Sequence, residues 1–287
     1  MTTIRPYAPA DAAALTTLRN NLFPDDTLTP RQLNGRLSAW RLSWVICLDE
    51  TPVGYAYAAP LPGLPGQYQL DVMVGQAWQR QGLGSRLLAF LRQALAGSEV
   101  AELSCGLTEN QEAAAAFLQR NGFAFDHQEL ILARPHLDNL PPLPPRPRLH
   151  IRTYPRRKAI RLFCRLYAAS FTGHPWNQPY TPDEAAADLV SARDILFLAG
   201  GKRPFGFAWL HGNKNGEGQI EPMGILPAAQ GEGHGRYLLT AALHTLKQRD
   251  ARRAIIGVWA DNTAARRLYE SLGFRPRQTI TYYACRL

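Results

Sequence analysis

The chain has 287 residues, a length that favours two domains and allows one, and 46% hydrophobic against 19% charged residues supplies enough apolar material for packed cores. No apolar run is long enough to span a membrane, and Met1 to Arg5 does not open a basic-then-apolar leader, so the expected location is cytoplasmic, away from any membrane. The net charge of +9 is dispersed, with only small clusters at Arg156-Arg157-Lys158 and Arg252-Arg253, which argues against nucleic acid and suits attraction of a polyanionic small molecule.

In chain order, Ile4 to Tyr7 reads as a short strand, Ala10 to Asn21 as a helix, and Pro30 to Ala39 as a second helix. Ser43 to Leu48 and Val53 to Ala59 form a hairpin around Asp49-Glu50-Thr51-Pro52, and Gln67 to Val74 is a fourth strand. A helix from Gly82 to Ala96, a strand from Val100 to Cys105, a helix from Gln111 to Arg120 and a closing strand from Phe123 to Ala133 complete the first half. Leu140-Pro141-Pro142-Leu143-Pro144-Pro145-Arg146-Pro147 can continue neither a helix nor a central strand and reads as an extended, semi-rigid spacer. Beyond it come a hairpin over Ile195 to Leu210 around Gly200-Gly201, a strand from Gly218 to Leu226 and a helix from Gly235 to Arg249. Strand Ala254 to Ala260, helix Thr263 to Ser271 and strand Gln278 to Cys285 follow.

The two halves repeat. Gln79-Arg80-Gln81-Gly82-Leu83-Gly84 recurs as Gln230-Gly231-Glu232-Gly233-His234-Gly235, and Asn121-Gly122-Phe123 as Leu272-Gly273-Phe274, both displaced by 230 − 79 = 151 positions. Asn110 matches Asn262, and Ile4-Arg5-Pro6-Tyr7 matches Ile151-Arg152-Thr153-Tyr154. A period this long means duplicated domains rather than a solenoid. The expected division is residues 1–137, a linker over 138–148, and residues 149–287.

A strand that runs through glycines into a helix makes an anion site, because the first helical N–H groups have no partner and the helix dipole adds positive potential. A dinucleotide fold would need a third glycine at Leu87 or Leu238, in the first strand-helix-strand unit. Both residues are bulky and both turns lie mid-domain, so that reading fails. The scattered Cys47, Cys105, Cys164 and Cys285 form no C-x-x-C pair and argue against a metal site or a disulfide framework.

With both motifs in hand, the chain resembles the GCN5-related N-acetyltransferase (GNAT) superfamily. Its hallmark, Q/R-x-x-G-x-G/A after the fourth strand, is met at Gln79 to Gly84 and at Gln230 to Gly235; Ile225-Leu226-Pro227 carries the preceding hydrophobic-x-Pro. The later family pattern, Asn, a helix with an aromatic residue, then Gly-Phe, is met from Asn262 to Phe274 and from Asn110 to Phe123. The resemblance implies an α/β fold of the α+β type: two tandem GNAT domains, each a mixed, largely antiparallel sheet flanked by helices. It implies acetyl transfer from the cosubstrate acetyl-CoA to a primary amine of a small molecule, with no metal, in a monomer or homodimer.

By the same resemblance, Gln79, Arg80, Gln81, Gly82, Leu83 and Gly84 in the first turn surround coenzyme A. So do Gln230, Gly231, Glu232, Gly233, His234, Gly235 and Arg236 in the second. Asn262 bonds the pantetheine arm or caps its own helix. The Ile225 N–H is the oxyanion donor. Tyr269 is the acid for the departing thiolate, whereas Phe117 stands at that place in the first copy, so catalysis is expected in the second. Glu221 is the candidate base, sharing a strand face with residues 219, 223 and 225; Glu217 is the second choice, and His174 and His234 are further alternatives. Phe171 to Tyr180, with His174 and Trp176, is the expected acceptor loop. An amino-sugar thiol is one acceptor suggested by tandem members. The competing functions are a non-catalytic coenzyme A sensor or scaffold and aminoacyl transfer from tRNA, the latter disfavoured by two intact turns.

Overall fold

A computed structural model describes residues 1–39, 42–175 and 177–287, with the side chains at 213 and 214 excepted. Trp176 of the expected acceptor loop lies outside the described residues.

The chain forms two compact units. The first comprises Met1–Leu107, Gln111–Asp126 and Tyr282–Leu287; the second comprises Thr108–Asn110 and His127–Thr281.

In the first unit, β1 (Thr2–Pro6), β2 (Ser43–Leu48), β3 (Thr51–Pro60) and β4 (Gln67–Val74) pair antiparallel in that order. β5 (Glu102–Thr108) then runs parallel to β4. Side chains alternate across the strands, so Leu70 joins α3 (Leu83–Leu95) on one face. Met73 joins α1 (Ala12–Leu22) and α2 (Pro30–Ala39) on the other. On α3, Leu87, Leu88, Leu91 and Leu95 recur at helical spacing and are buried. Burial of each is worth about 1.5–3 kcal/mol. α4 (Glu112–Arg120) closes the unit through Leu118.

Ahead of α1, Asp11 is buried and accepts hydrogen bonds from Arg5 Nη1 at 2.8 Å, Arg5 Nη2 at 2.7 Å and the Ala8 N–H at 2.9 Å. The Arg5 guanidinium, aided by the Ala8 amide, holds this carboxyl below the usual range despite its burial. A depressed folded-state pKa gives stability that is present above the unfolded value near 4 and is lost as pH falls through the lower folded value. Asp11→Asn is therefore expected to lower stability by about 1–3 kcal/mol at neutral pH, read by urea denaturation. The gap should narrow as pH falls below the ordinary aspartate range; a gap that stays constant with pH would assign the loss to packing.

The second unit repeats this plan. β7 (Leu149–Arg152), β8 (Ile195–Gly200), β9 (Arg203–Lys214) and β10 (Glu217–Ile225) pair antiparallel, and β11 (Arg253–Trp259) runs parallel to β10. α5 (Arg156–Phe171) and α6 (Pro182–Asp188) cover one face through Phe163 and Tyr167, against Phe197, Phe207 and Trp209. α7 (His234–Gln248) and α8 (Thr263–Ser271) cover the other, with Leu238, Leu243, Leu246 and Phe274.

The closing strands depart from the repeat read in the sequence. β6 (Ala124–Arg134), from the first repeat, pairs antiparallel with β11 over Glu129–Arg134, so the second unit takes in His127 to Leu137. β12 (Arg275–Arg286) belongs to the second unit as far as Thr281, and its end, Tyr282–Leu287, to the first. There Cys285 Sγ receives a hydrogen bond from Arg92 Nη2 at 2.9 Å. The repeat at 1–137 and 149–287 and the compact units are thus different partitions of one chain. The reason is side-chain burial: Leu132 and Leu137 lie in the core of the second unit, while Tyr283 and Cys285 pack on that of the first.

Residues 140–146 of the proline-rich segment form neither helix nor strand, and the segment is not a free spacer. Leu140 and Leu143 pack on the core beneath α7. The Pro141 carbonyl accepts from His244 Nε2 at 2.9 Å, and the Asp138 carbonyl from Lys247 Nζ at 3.0 Å. Among the described residues no helix is long and apolar enough to cross a membrane.

Candidate active site

β10 and β11 are paired only over Glu217–Gln219 and Arg253–Ile255, after which they splay apart. The Leu226 N–H donates to the Phe205 carbonyl at 2.8 Å, so Leu226–Phe205 is a hydrogen-bonded pair of the antiparallel ladder. The preceding pair, Ile225–Gly206, is then the non-hydrogen-bonded kind, and Ile225 turns its N–H and C=O away from β9 towards the split. The Ile225 carbonyl is taken by Gln230 Nε2 at 2.9 Å. Its N–H is left facing the opening.

That glutamine bond settles what the first residue of the motif does. Gln230 ties the loop to its own strand instead of reaching outward, and Gln79 does the same to the Val74 carbonyl at 2.9 Å. The loop then reaches Gly233, whose φ of 75° is left-handed and closed to most side chains. Gly82 repeats it with φ 76°. From these residues α7 and α3 start, and their first N–H groups make a cradle for an anion. His234 Nδ1 donates to the Ala229 carbonyl at 2.8 Å, which fixes the ring inside the loop, with Nε2 3.7 Å from Glu232. Arg236 Nη2 donates to Ser271 Oγ at 2.6 Å. Asn262 Oδ1 accepts from the Ala265 N–H at 3.2 Å, so it caps α8 and keeps its amide nitrogen for another partner.

Tyr269 is buried on α8 in the α7 core. Burial, and next the Glu221 charge, raise its phenol well above the usual range, so it stays protonated. Glu221 lies on the opposite face of β10. The residue is open to solvent, yet many protein atoms surround its carboxyl. Burial raises its pKa, Gln219 Nε2 donating at 2.7 Å opposes the rise, Glu129 adds to it, and His211 opposes it. Tyr269 and Glu221 thus flank one opening between splayed strands.

The carboxyl of Glu221 leans over β11 at Gly257. A Cβ there would lie 3.1 Å from Oε1, so a side chain at this position would press on the carboxylate. Gly257→Val is expected to displace the carboxylate and cut kcat at least tenfold, with unchanged thermal stability as the control. Retained kcat would detach Glu221 from the reaction.

The other candidates have different occupations. Glu217 is engaged by Arg253 Nε at 2.8 Å and Arg277 Nη1 at 2.7 Å. Phe171 and Tyr180 of the expected acceptor loop are anchored, their rings 4.7 and 5.2 Å from that of Tyr167. The residues missed in the sequence are Glu129 and His127, which come from the first repeat. His127 stacks on Trp259 with centroids 3.7 Å apart. Only the pairing of β6 with β11 brings them to this face, and no local pattern encodes it.

The first unit keeps much of the same design. β4 and β5 pair only over Gln67–Gln69 and Glu102–Ser104 before separating. Asp71 follows Leu70 as Glu221 follows Ile220, on the face away from α3, and accepts from Tyr55 Oη at 3.1 Å. Phe117, however, supplies no hydroxyl, and its ring fills the space beside Gly84.

Comparison with known proteins decides the family. The model of the acetyltransferase (GNAT) family matches twice, over residues 13–123 and 160–274. The chain belongs to the GNAT acetyltransferase family. Its donor is acetyl-CoA, and the activity of such a chain is acetyl-CoA-dependent N-acetyl transfer. The acetyltransferase is 30% identical over 244 residues to a protein of Actinosynnema mirum named mycothiol acetyltransferase, covering 82% of this chain and 81% of that one. It is 30% identical over 288 residues to a protein of the same name from Mycobacterium marinum, with 88% and 86% covered. In fold it is similar to a GCN5-related N-acetyltransferase from Sphaerobacter thermophilus, with TM-score 0.77, 19% identity and 99% and 95% of the chains covered. It is also similar to a tandem GNAT protein from the clavulanic acid biosynthesis pathway, with TM-score 0.69, 15% identity and 100% and 98% covered. Two GNAT domains in one chain account for both glycine turns and both splayed strand pairs.

Proposed function

We propose that the second GNAT domain, residues 149–287 of the repeat completed by β6, carries the transfer, and that its acceptor is a primary amine of a small molecule. The observation behind this reading is the placement of Tyr269 and Glu221 on either side of the β10–β11 split, with Phe117 replacing the acid in the first domain. The diphosphate of acetyl-CoA rests on the amides that follow Gly233, between Gln230 and Arg236, and pantetheine passes the free amide of Asn262. Glu221, directly or through a water, takes a proton from the acceptor ammonium. The amine nitrogen attacks the thioester carbonyl, whose developing oxyanion meets the Ile225 N–H. The C–S bond breaks as Tyr269 gives its proton to the thiolate, the new amide nitrogen returns its surplus proton to the phenolate, and Glu221 releases its own to solvent, leaving the neutral amide and free coenzyme A.

The test is coenzyme A release by the intact chain across amino sugars, aminoglycosides, diamines and the amino-sugar thiol that the mycothiol acetyltransferase relatives suggest. Amine-dependent thiol release from at least one class is expected. Binding of acetyl-CoA without turnover on any class would favour a sensor or scaffold. The loop at Gln79 to Gly84 is a second coenzyme A cradle in the same proposal, without a proton donor of its own.

A further inference from the structure

The carboxyl of Asp71 has no part in the reaction assigned to the second domain. It stands on β4 where β5 has separated, on the sheet face that α1 and α2 cover. Tyr57 lies directly across from it on β3, and Tyr55, two residues earlier, donates its hydroxyl to Asp71 Oδ2 at 3.1 Å. That is the one hydrogen bond of this carboxyl among the described residues, although many protein atoms surround it. A carboxylate can accept about four, so this one is short of donors. Burial raises its pKa, and the Tyr55 hydrogen bond, Arg19 and Arg36 oppose the rise. Part of the residue is open to solvent, so a ligand can reach it.

The two cations that act on Asp71 differ. Arg19 on α1 is buried and already engaged, by the carboxylate and the carbonyl of Asp26. Arg36 on α2 is exposed, and its guanidinium has neither a hydrogen bond nor an ion pair among the described residues. Its charge nonetheless reaches both Asp71 and Tyr57. Leu33 and Leu37 of the same helix are buried with Tyr55 and Met73, which sets Arg36 at the edge of that contact. On α1, one turn before Arg19, Thr16 is buried and its Oγ1 has no hydrogen-bond partner. An orphan hydroxyl on the helix that covers this face is one more polar group with capacity for a ligand.

A simple amine would meet Arg19 and Arg36 there, and a simple acid would meet Asp71. A molecule with one ammonium and one carboxylate complements both charges. We propose that the first domain holds a free α-amino acid, its ammonium on Asp71, its carboxylate on Arg36 and its side chain against the half-buried ring of Tyr57. The site gives a binding role to the domain in which Phe117 replaces the acid, and it is independent of the chemistry assigned to the second domain.

The experiment is calorimetric titration of the full chain with the neutral L-amino acids, in a Glu221→Gln background so that an amine at the second domain does not mask the signal. For the tightest ligand, its carboxamide and its N-acetyl derivative are titrated as well; the first lacks the carboxylate and the second the ammonium. Saturable binding of at least one amino acid is expected, weakened about 10–100-fold by removal of either charge, as charge-assisted hydrogen bonds allow. Asp71→Asn and Arg36→Gln should each weaken the amino acid by a similar factor. Arg36→Gln should also cease to distinguish the amino acid from its carboxamide, and Asp71→Asn to distinguish it from the N-acetyl derivative. Absence of binding by every amino acid would overturn the proposal. So would affinity that either variant leaves intact, or a carboxamide that binds as tightly as the acid. Asp71→Asn keeps an acceptor for the Tyr55 hydroxyl and Arg36 is exposed, so both variants should fold, which far-ultraviolet circular dichroism checks. Failure of acetyl transfer by the natural chain would fall on the second domain and not on this site.

Discussion

Tyr269→Phe should lower kcat about 100-fold while the dissociation constant of acetyl-CoA stays within a factor of two. The phenol lies at the edge of a buried cluster with Phe274, and the substitution removes one oxygen without emptying the ring's space. Folding should therefore be retained, since an isosteric aromatic change in a core costs little. What is lost is the proton for the thiolate. A thiolate at the ordinary cysteine pKa near 8.5 can leave unaided, but a positioned acid contributes about 10²–10⁴-fold. A phenol raised by burial stays protonated over the whole working range, so the variant should lose turnover evenly across pH. Pre-steady-state mixing with an excess of enzyme separates chemistry from product release, and the loss should lie in the chemical step. Normal single-turnover rates would dismiss Tyr269 from the mechanism. The reciprocal change, Phe117→Tyr, tests the first domain: a new hydroxyl beside its loop should leave overall turnover unaltered if the second domain alone is active.

The parts of this site that could be read in the sequence are those held by local backbone chemistry. The loop from Gln230 to Gly235 demands glycine at 233 because the chain passes there through a left-handed conformation, and a demand of that kind leaves a mark in four or five consecutive residues. The same holds for Asn262, whose cap on α8 is a relation between residues three apart. Elements such as α2 and β4 were legible to the residue, since their apolar spacing matches the faces they bury. What the sequence concealed depends on pairing over long distances. β6 is followed by prolines and reads as the end of the first repeat, yet its partner is β11, more than a hundred residues on. The glutamates show both cases. Glu221 and Glu217 alternate onto similar places on one strand, and only the arginines at 253 and 277, distant in the chain, show that Glu217 is spent on ion pairs.

Glu221→Gln carries the second large effect, and its signature is a pH profile. The amide keeps the shape of the side chain and its contact with Gln219, so acetyl-CoA affinity should be unchanged, but it cannot accept the proton of the acceptor. A fall of about 100-fold in kcat/KM is expected. On the proposed mechanism Glu221 must be ionised in the natural enzyme. The pKa of the Glu221 carboxyl is raised by loss of hydration, and Glu129 pushes in the same direction, while Gln219 and His211 pull it back. The rate should therefore fall as pH drops through a pKa above the ordinary glutamate value of about 4.3, with a limiting slope of one proton. In Glu221→Gln that limb should vanish, leaving a low, flat acid side. Glu129→Gln provides the control in sign: with one negative neighbour removed, the Glu221 limb should move to lower pH while the plateau rate persists. A limb that stays in place in both variants would belong to another group, and the base would have to be sought among His127, 4.0 Å from Glu129, and His211, whose charge acts on Glu221.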